Sequence, residues 1–503
     1  MEVVLKHLGY LLLIFSIFPV IPLIAAIIYS EPVLPFLATA ILSLLLGFLL
    51  ISSRDATGKR PSIKFFDIPR SISLSALSFI TISVIGTVPY LMILKTSFLD
   101  ALFESVSGFT TTGLTILTNV EEISRSLLIW RAETQWIGGL GIILLFLIVV
   151  SAMRRQQSLK ETTTKAKAVA TLYHAQGASE KLEASMEKSM RNTVLIYGGY
   201  TLFGIFLLFI TGLSFFESIS TAFTAISTGG FSVTDDFYTA GNVLGVLLFL
   251  MIAGSVSWVA HNRFFRGHLK DFIKDLNLRF YLLTIVAAVV IVFLFIGDFK
   301  TAIFETVSAI TTTGYSITDI SALPAVAIMV IVLCMLVGGM LGSTAGGIKI
   351  NRFLLMLKSL PWMVKKAASP AGAIIPLKAG NMVIEDEDML ITQAFIACYV
   401  IILILGTIIL MVTGLSFLDS SFQTTSALGV VGLSTASPAL FHPVAKTVLI
   451  VAMLFGRLEI IPLLILGRYF YEKARTKMRR KKEEARKLFY MKWIPSAVWK
   501  RRP

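Results

Sequence analysis

Long apolar stretches dominate the chain, and short polar connections separate them. Residues 8–29 are almost wholly apolar, and 34–52 form a second run after only a few polar positions. Further runs cover 71–94, 128–152, 193–212, 242–260, 279–297, 324–341, 389–413 and 443–466. A helix needs about 20 predominantly apolar residues to cross a bilayer. The runs are continuous rather than alternating, which excludes a transmembrane β-barrel. Backbone facing lipid must satisfy its own hydrogen bonds, so each run is predicted to be helical. The pattern predicts an all-α polytopic membrane protein with ten transmembrane helices. The first run exceeds the about 7–15 apolar residues of a signal sequence, and another follows at once, so 8–52 is predicted to be a helix pair.

Composition agrees. Of 503 residues, 55% are apolar and 15% charged, against about 45–50% and about 25% in soluble domains. The only cysteines, Cys334 and Cys398, lie in apolar runs, which excludes a disulfide scaffold. The net charge of +15 is confined to alternate connections. One set carries Arg54, Lys59, Arg60, Lys64 and Arg70, then Arg154 to Arg191, then Arg263, Arg266, Lys270 and Lys274, then Arg352 to Lys378. A basic tail from Arg468 to Lys487 follows. The other set is richer in acids: Asp100, Glu104, Glu121, Glu122, Glu217, Asp235, Asp236, Asp298, Glu305, Asp319 and Asp419. The positive-inside rule puts the basic set and both termini in the cytoplasm of a cell inner (plasma) membrane. The basic charge then reads as topology and contact with membrane lipids, not nucleic acid, and the tail is also suited to an anionic partner.

The acidic connections contain an internal repeat. Ser107-Gly108-Phe109-Thr110-Thr111-Thr112-Gly113-Leu114-Thr115 matches Thr224-Ala225-Ile226-Ser227-Thr228-Gly229-Gly230-Phe231-Ser232. Ser308-Ala309-Ile310-Thr311-Thr312-Thr313-Gly314-Tyr315-Ser316 and Ser426-Ala427-Leu428-Gly429-Val430-Val431-Gly432-Leu433-Ser434 complete the set. Each ends a short apolar segment (100–109, 216–226, 301–310, 417–428) between two full spans. The unit is span, short helix, glycine loop, span, repeated four times around one pseudo-fourfold pore. Irregular backbone at membrane depth must line a wet cavity or be buried in protein. Four such loops meeting on one axis offer a ring of carbonyl oxygens that replaces a cation's hydration shell. Candidate ion-binding positions are Thr111, Thr112, Gly113, Thr228, Gly229, Gly230, Thr312, Thr313, Gly314, Val430, Val431 and Gly432. The acidic outer connections are expected to concentrate cations at the mouth.

Two features lie on the inner side. Five glycines fall within residues 337–349: Gly338, Gly339, Gly342, Gly346 and Gly347, beside Ser343, Thr344 and Ala345. Each costs a helix about 1 kcal/mol against alanine, so the span beginning at Pro324 is expected to break here. Small residues there suit either a flexible constriction or close helix packing. Arg457 lies inside the apolar run 448–466, and an intramembrane charge is a functional candidate. Facing a cation path, it would repel ions and donate to carbonyls around Gly342–Gly346; a pair with Glu459 is disfavoured, since residues two apart point in different directions. Lys349 reads as a second positive element or, preferably, the first interfacial residue. His261, Arg263 and Arg266 read as snorkelling side chains. The acidic run 385–388 reads as a solvated loop.

These residues resemble the potassium-transporter superfamily that contains TrkH, KtrB, HKT and Trk proteins. Phe103 to Gly113 resembles its first pore loop, and Thr134-Gln135-Trp136-Ile137-Gly138-Gly139-Leu140-Gly141 the start of the following helix. Gly342 to Lys349 resembles its intramembrane loop, and Gly456-Arg457-Leu458-Glu459 its Arg-bearing last helix. The N-terminal pair makes the chain more similar to TrkH than to KtrB. The resemblance implies that K+ is the transported ion, that Gly113 favours it over sodium, and that 338–349 with Arg457 forms a gate. It also implies a homodimer with one pore per subunit and a cytoplasmic TrkA-like ring that holds the nucleotide, with no cofactor in this chain.

The expected units are 1–60 (helix pair), 61–160, 161–277, 278–360 and 361–475 (four pore repeats), and 476–503 (basic tail). No metalloprotease or Walker motif occurs, and the five histidines lack metal-ligand spacing, so an enzyme is not expected. An ion-coupled secondary transporter is the alternative reading and an intramembrane lipid enzyme a distant one.

Overall fold

The computed structural model describes residues 2–52, 68–158 and 186–460, apart from 236, 371–372, 374, 380–381 and 385, with scattered positions from 463 to 484. Expectations for the basic connections at 53–67 and 159–185, and for most of the tail, lie outside these residues.

Helices Glu2–Phe15 (α1), Val20–Ile28 (α2) and Leu34–Ser52 (α3) form the N-terminal pair. The first repeat comprises Ile68–Ile85 (α4), Val88–Leu94 (α5), Phe98–Phe109 (α6) and Arg125–Ser158 (α7). The second comprises Met186–Ile210 (α8), Phe215–Ile226 (α9), Gly241–Ser255 (α10) and Trp258–Phe265 (α11), and Leu269–Lys274 (α12) leads out of it. The third comprises Leu276–Ile296 (α13), Phe299–Ile310 (α14), Ala325–Val337 (α15) and Ile350–Ala367 (α16). The fourth comprises Asp386–Val412 (α17), Phe417–Gly429 (α18) and Pro443–Arg457 (α19). A small antiparallel hairpin, Leu377–Ala379 with Met382–Ile384, joins the last two repeats.

The four short helices start where the sequence caps them. Ser97, Ser214, Asp298 and Ser416 each accept from the backbone N–H three residues on. Such a cap satisfies one of the orphan donors of the first turn. At 12–13 residues and 1.5 Å per residue, each is about 18–20 Å long, too short to cross. Their flanks are buried against the long helices, and they carry the core: Phe103, Phe304 and Phe422 are fully buried.

The long helices depart from the uniform pattern. Among the described residues, six are long and apolar enough to cross a membrane, or seven if one bent pair is a single span. The predicted continuous run 242–260 is that pair: α10 stops at Ser255 and α11 leaves at 105°. The run 443–466 also stops early, at Arg457, because Glu459 and Ile460 adopt φ of 60°. The run from Pro324 breaks where the glycines predict, between Val337 and Ile350. The acidic run is no free loop: Asp386 to Asp388 form the first turn of α17, which suits the positive end of a helix dipole.

Candidate functional site

The four glycine loops share one backbone. Thr111, Thr228, Thr312 and Val430 have φ of 52–58°, and two residues on, Gly113, Gly230, Gly314 and Gly432 have φ of 75–97°. Positive φ is costly for Thr and more so for Val, so the surrounding structure has to impose it. It does so with hydrogen bonds. The N–H of Thr112, Gly229, Thr313 and Val431 donates back to the carbonyl five residues earlier, at 2.8–2.9 Å. The preceding N–H groups also return to the short helices, to the carbonyls of Gly108, Ala225, Ala309 and Ala427. With donors spent this way, carbonyl oxygens and hydroxyls are what the loops offer a ligand.

The loops close on one another in order. A Cβ added to Gly113 would strike Gly229 O of the second loop, and one on Gly230 would strike Thr313 O of the third. One on Gly314 would strike Val431 O of the fourth, and one on Gly432 would strike Thr112 O of the first. Each glycine thus lets the next loop's carbonyl approach its Cα, and the sequence of contacts returns to its start.

A collar of buried side chains, not singled out by the sequence reading, braces this ring. Nine residues before each loop glycine stand Glu104, Thr221, Glu305 and Gln423. Glu104 accepts from Thr115 Oγ1 and from the N–H of Ile116, both at 2.6 Å. Glu305 accepts from Ser316 Oγ (2.9 Å) and the N–H of Ile317 (2.8 Å). Gln423 donates to Ser434 Oγ (2.5 Å) and Ala436 O (2.8 Å). The second loop, with Thr221 at that position, is held from the neighbouring helix α7: Gln135 donates to Gly229 O (2.6 Å) and accepts from the N–H of Phe231 (3.1 Å). Arg131 bridges both, bonded to Glu104 (3.3 Å) and to Ser232 O (3.2 Å). Glu104 and Glu305 are therefore buried struts, not the solvent-facing charges expected from their place in acidic connections. Their common register was the available signal. Other acids of that set also hold backbone, with Asp235 accepting from the N–H of Val120 at 2.6 Å.

Under the ring lies the segment 338–349. The N–H of Gly346 donates to Thr312 Oγ1 (2.7 Å), and Thr344 Oγ1 lies 3.1 Å from Thr228 Oγ1. A Cβ on Gly346 would strike Gly429 O and Val430 Cβ. The segment thus touches three of the four loops at or beside their first positive-φ residue. It docks on the broken end of α10: Met340 N–H donates to Ser255 O (3.0 Å), Thr344 N–H to Gly254 O (3.1 Å), and Trp258 N–H to Gly342 O (3.0 Å). Gly338 and Gly347 pack backbone to backbone, and Ser343 and Ala345 are buried. The N–H of Ile350 donates to Gly339 O at 2.9 Å.

Arg457 is 3% exposed. It donates to Thr344 O (2.5 Å) and to Gly138 O of α7 (2.8 Å). Glu459 does not pair with it by geometry but with Arg352 of α16, at 2.6 Å, and Arg352 also stacks 3.8 Å from the Phe395 ring centre. Lys349 is not interfacial: it is buried and its Nζ donates to Ala345 O. His261 does not snorkel either. It is buried, bonded to Tyr200 Oη (3.1 Å) and Ala253 O (2.9 Å) across the helix break.

Comparison with known proteins places the chain as a whole. A family model described as TrkH, cation transport protein, matches residues 42–477. An uncharacterized cation transporter of Methanocaldococcus jannaschii is 32% identical over 485 residues, 94% of this chain and 96% of the relative. TrkI of Halomonas elongata, a Trk system potassium uptake protein, is 29% identical over 499 residues, 92% and 95% of the two chains. The crystal structure of the potassium transporter TrkH from Vibrio parahaemolyticus superposes with a TM-score of 0.76, covering 92% of this chain and 98% of that one at 24% identity, a likeness of fold.

Proposed function

The chain belongs to the TrkH family of cation transport proteins, and from that premise we propose that it is a potassium-selective uptake pore. It is a polytopic membrane protein of a transporter family, not of an enzyme family. The observation that carries the reading is the cyclic closure of four loops with matching positive-φ positions. Such a ring is suited to present oxygen ligands to one ion, the means by which carbonyl filters replace the hydration shell of K+. The ion-binding positions are the twelve loop residues from Thr111–Gly113, Thr228–Gly230, Thr312–Gly314 and Val430–Gly432. The gate is the segment from Gly338 to Lys349 with Arg457 as its tie. The site lies in an inner membrane with both termini cytoplasmic, as the basic connections argue. Relatives are named as parts of a Trk system, and the resemblance supports a homodimer served by a cytoplasmic TrkA-like nucleotide-binding ring. Helix α16, which continues from the gate toward Lys365 and Lys366, is the element such a partner would move.

The test is potassium and sodium flux through the purified protein in liposomes, without partner or proton gradient. Downhill flux favouring potassium supports the pore. Potassium uptake that appears only with an imposed proton or sodium gradient replaces it with coupled transport. In the same assay Gly113→Ser should lower the potassium-to-sodium ratio roughly tenfold, about 1.4 kcal/mol of discrimination; an unchanged ratio removes Gly113 from the filter.

The collar gives a second result. Glu305→Gln should keep near-normal flux, because both bonds to the loop fall on Oε1 and an amide oxygen accepts them as well. Glu305→Leu should lose most of it, since the N–H of Ile317 loses its acceptor, at about 1–3 kcal/mol, and Ser316 Oγ keeps only Thr318 O. Equal flux from both variants would show that the strut has no part in holding the loop.

A further inference from the structure

The collar around the loops is uneven in charge. Glu104 and Glu305 are both fully buried, and each spends Oε1 on its own loop. They part at Oε2. In Glu104 it takes Arg131 Nε at 3.3 Å. In Glu305 no described residue donates to it. The helix after each loop explains the difference. Its seventh residue is Arg131 in α7, Leu247 in α10, Ile331 in α15 and Leu449 in α19, all buried. The second and fourth repeats need no base there, since their collar residues are the neutral Thr221 and Gln423. The third has the acid without the base.

Among the described residues, nothing facing Glu305 replaces that arginine. Helices α10, α13 and α15 pack on α14. Of these, α10 has no titratable residue and α15 has Cys334 alone. In α13, Arg279 and Tyr281 lie in the first two turns, at the end away from α14. Lys300 of α14 is exposed, as are Asp298 before it and Asp319 after the loop. Tyr315 turns its hydroxyl to Thr224, and the neighbouring Tyr238 gives its own to Glu217. A buried carboxylate without a counter-ion is costly, and such a group keeps its proton instead.

We propose that Glu305 is a proton-binding site behind the third loop, with its proton on Oε2 in the conducting protein, and that losing this proton lowers flux. The neutral acid keeps Oε1 as acceptor for Ser316 Oγ and the N–H of Ile317. The anion adds a charge that must draw in donors. The N–H of Thr318 is at hand, since its bond to Ser316 Oγ is long, at 3.4 Å. Drawing it in shifts the chain that leads out of the third loop. The ring closes through that loop on both sides, at Thr313 O against Gly230 and at Gly314 against Val431 O. Low pH thus favours the protonated, conducting state, and flux falls as the pH rises through the titration of Glu305. The flux effect rests on the pore reading; the proton site does not.

Infrared difference spectra of the full chain in liposomes, taken between about pH 5 and about pH 9, test the site directly; buried glutamates titrate in this range. The wild type should lose a protonated-carboxyl C=O band at the higher pH, and Glu305→Gln should lack that band. Potassium flux in the same liposomes should fall roughly tenfold across the range in the wild type, following the protonated fraction, and should stay level in Glu305→Gln. Melting temperatures at neutral pH separate the two acids. Glu104→Gln strands Arg131 as a buried unpaired charge and should melt well below the wild type, whereas Glu305→Gln should melt with it. A band that does not titrate or that persists in Glu305→Gln overturns the proposal. So does equal destabilisation by the two substitutions, or a conducting wild type whose flux is flat in pH. If the wild type passes no potassium at any pH, the failure belongs to the pore reading, and the band and the melting temperatures decide on the proton site.

Discussion

Alanine in place of Gly314 should lower potassium flux by more than about tenfold while the protein still assembles in the membrane. Two costs meet at this position. The backbone has φ of 87°, where an L side chain is penalised by about 1–2 kcal/mol. The new Cβ would also strike Val431 O of the next loop, and backbone cannot step aside as a flexible side chain would. Val431 is itself held by its N–H to Ser426 O at 2.9 Å, so displacing it moves the fourth loop as well. A ring closed by four such contacts has no spare position to absorb the shift. Gly297 separates this effect from backbone strain alone. It has a similar φ of 79° but open space around its missing Cβ. Gly297→Ala should therefore cost about 1 kcal/mol of stability and leave flux unchanged. Rubidium uptake into liposomes, with a melting curve for each variant, reads both. Wild-type flux from Gly314→Ala would mean that the loops do not line the ion path.

How much of this was legible in the sequence depended on whether the cause was local. The short helices were, because each is an apolar segment too short to cross that ends in a glycine loop recurring between two spans. The break at 338–349 was, because five glycines make a poor helix whatever surrounds them. The break at Ser255 was not. Its sequence, Ala253-Gly254-Ser255-Val256-Ser257, sits in an apolar run, and the turn is held by bonds from Met340, Thr344 and to Gly342, nearly 90 residues away. Arg457 stood out because a lone charge in an apolar run is costly. Its partners Thr344 O and Gly138 O are backbone atoms, and no side-chain pattern announces those. Lys349 was misplaced for the same reason: its acceptor is the carbonyl of Ala345. Glu104 and Glu305 look like surface acids by the connection they lie in, and only their shared register within the repeat marks them as struts.

Arg457→Ala should raise partner-free flux by roughly 10- to 100-fold. The guanidinium ties Thr344 O of the proposed gate segment to Gly138 O of α7, so one side chain holds the third repeat against the first. Hydrogen bonds to a charged group are worth about 1.5–3 kcal/mol each. Opening the segment breaks the bond to Thr344 O alone, so losing it shifts a closed segment toward open by about one to two powers of ten, since each 1.4 kcal/mol is tenfold. Lysine separates the tie from the charge. Arg457→Lys keeps a cation beside the path but lacks the fork that reaches two carbonyls, so it should conduct at a level between wild type and alanine if the tie matters. A lysine variant as closed as the wild type would make repulsion of the permeant ion the whole effect. Deleting Gly342–Gly346 gives the decisive comparison. If Arg457 acts through that segment, the deletion and Arg457→Ala together should conduct no more than the deletion alone. Independent contributions would add and would place the closing step elsewhere. Reduced or unchanged flux in Arg457→Ala, at normal expression, would remove Arg457 and the 338–349 segment from the gate.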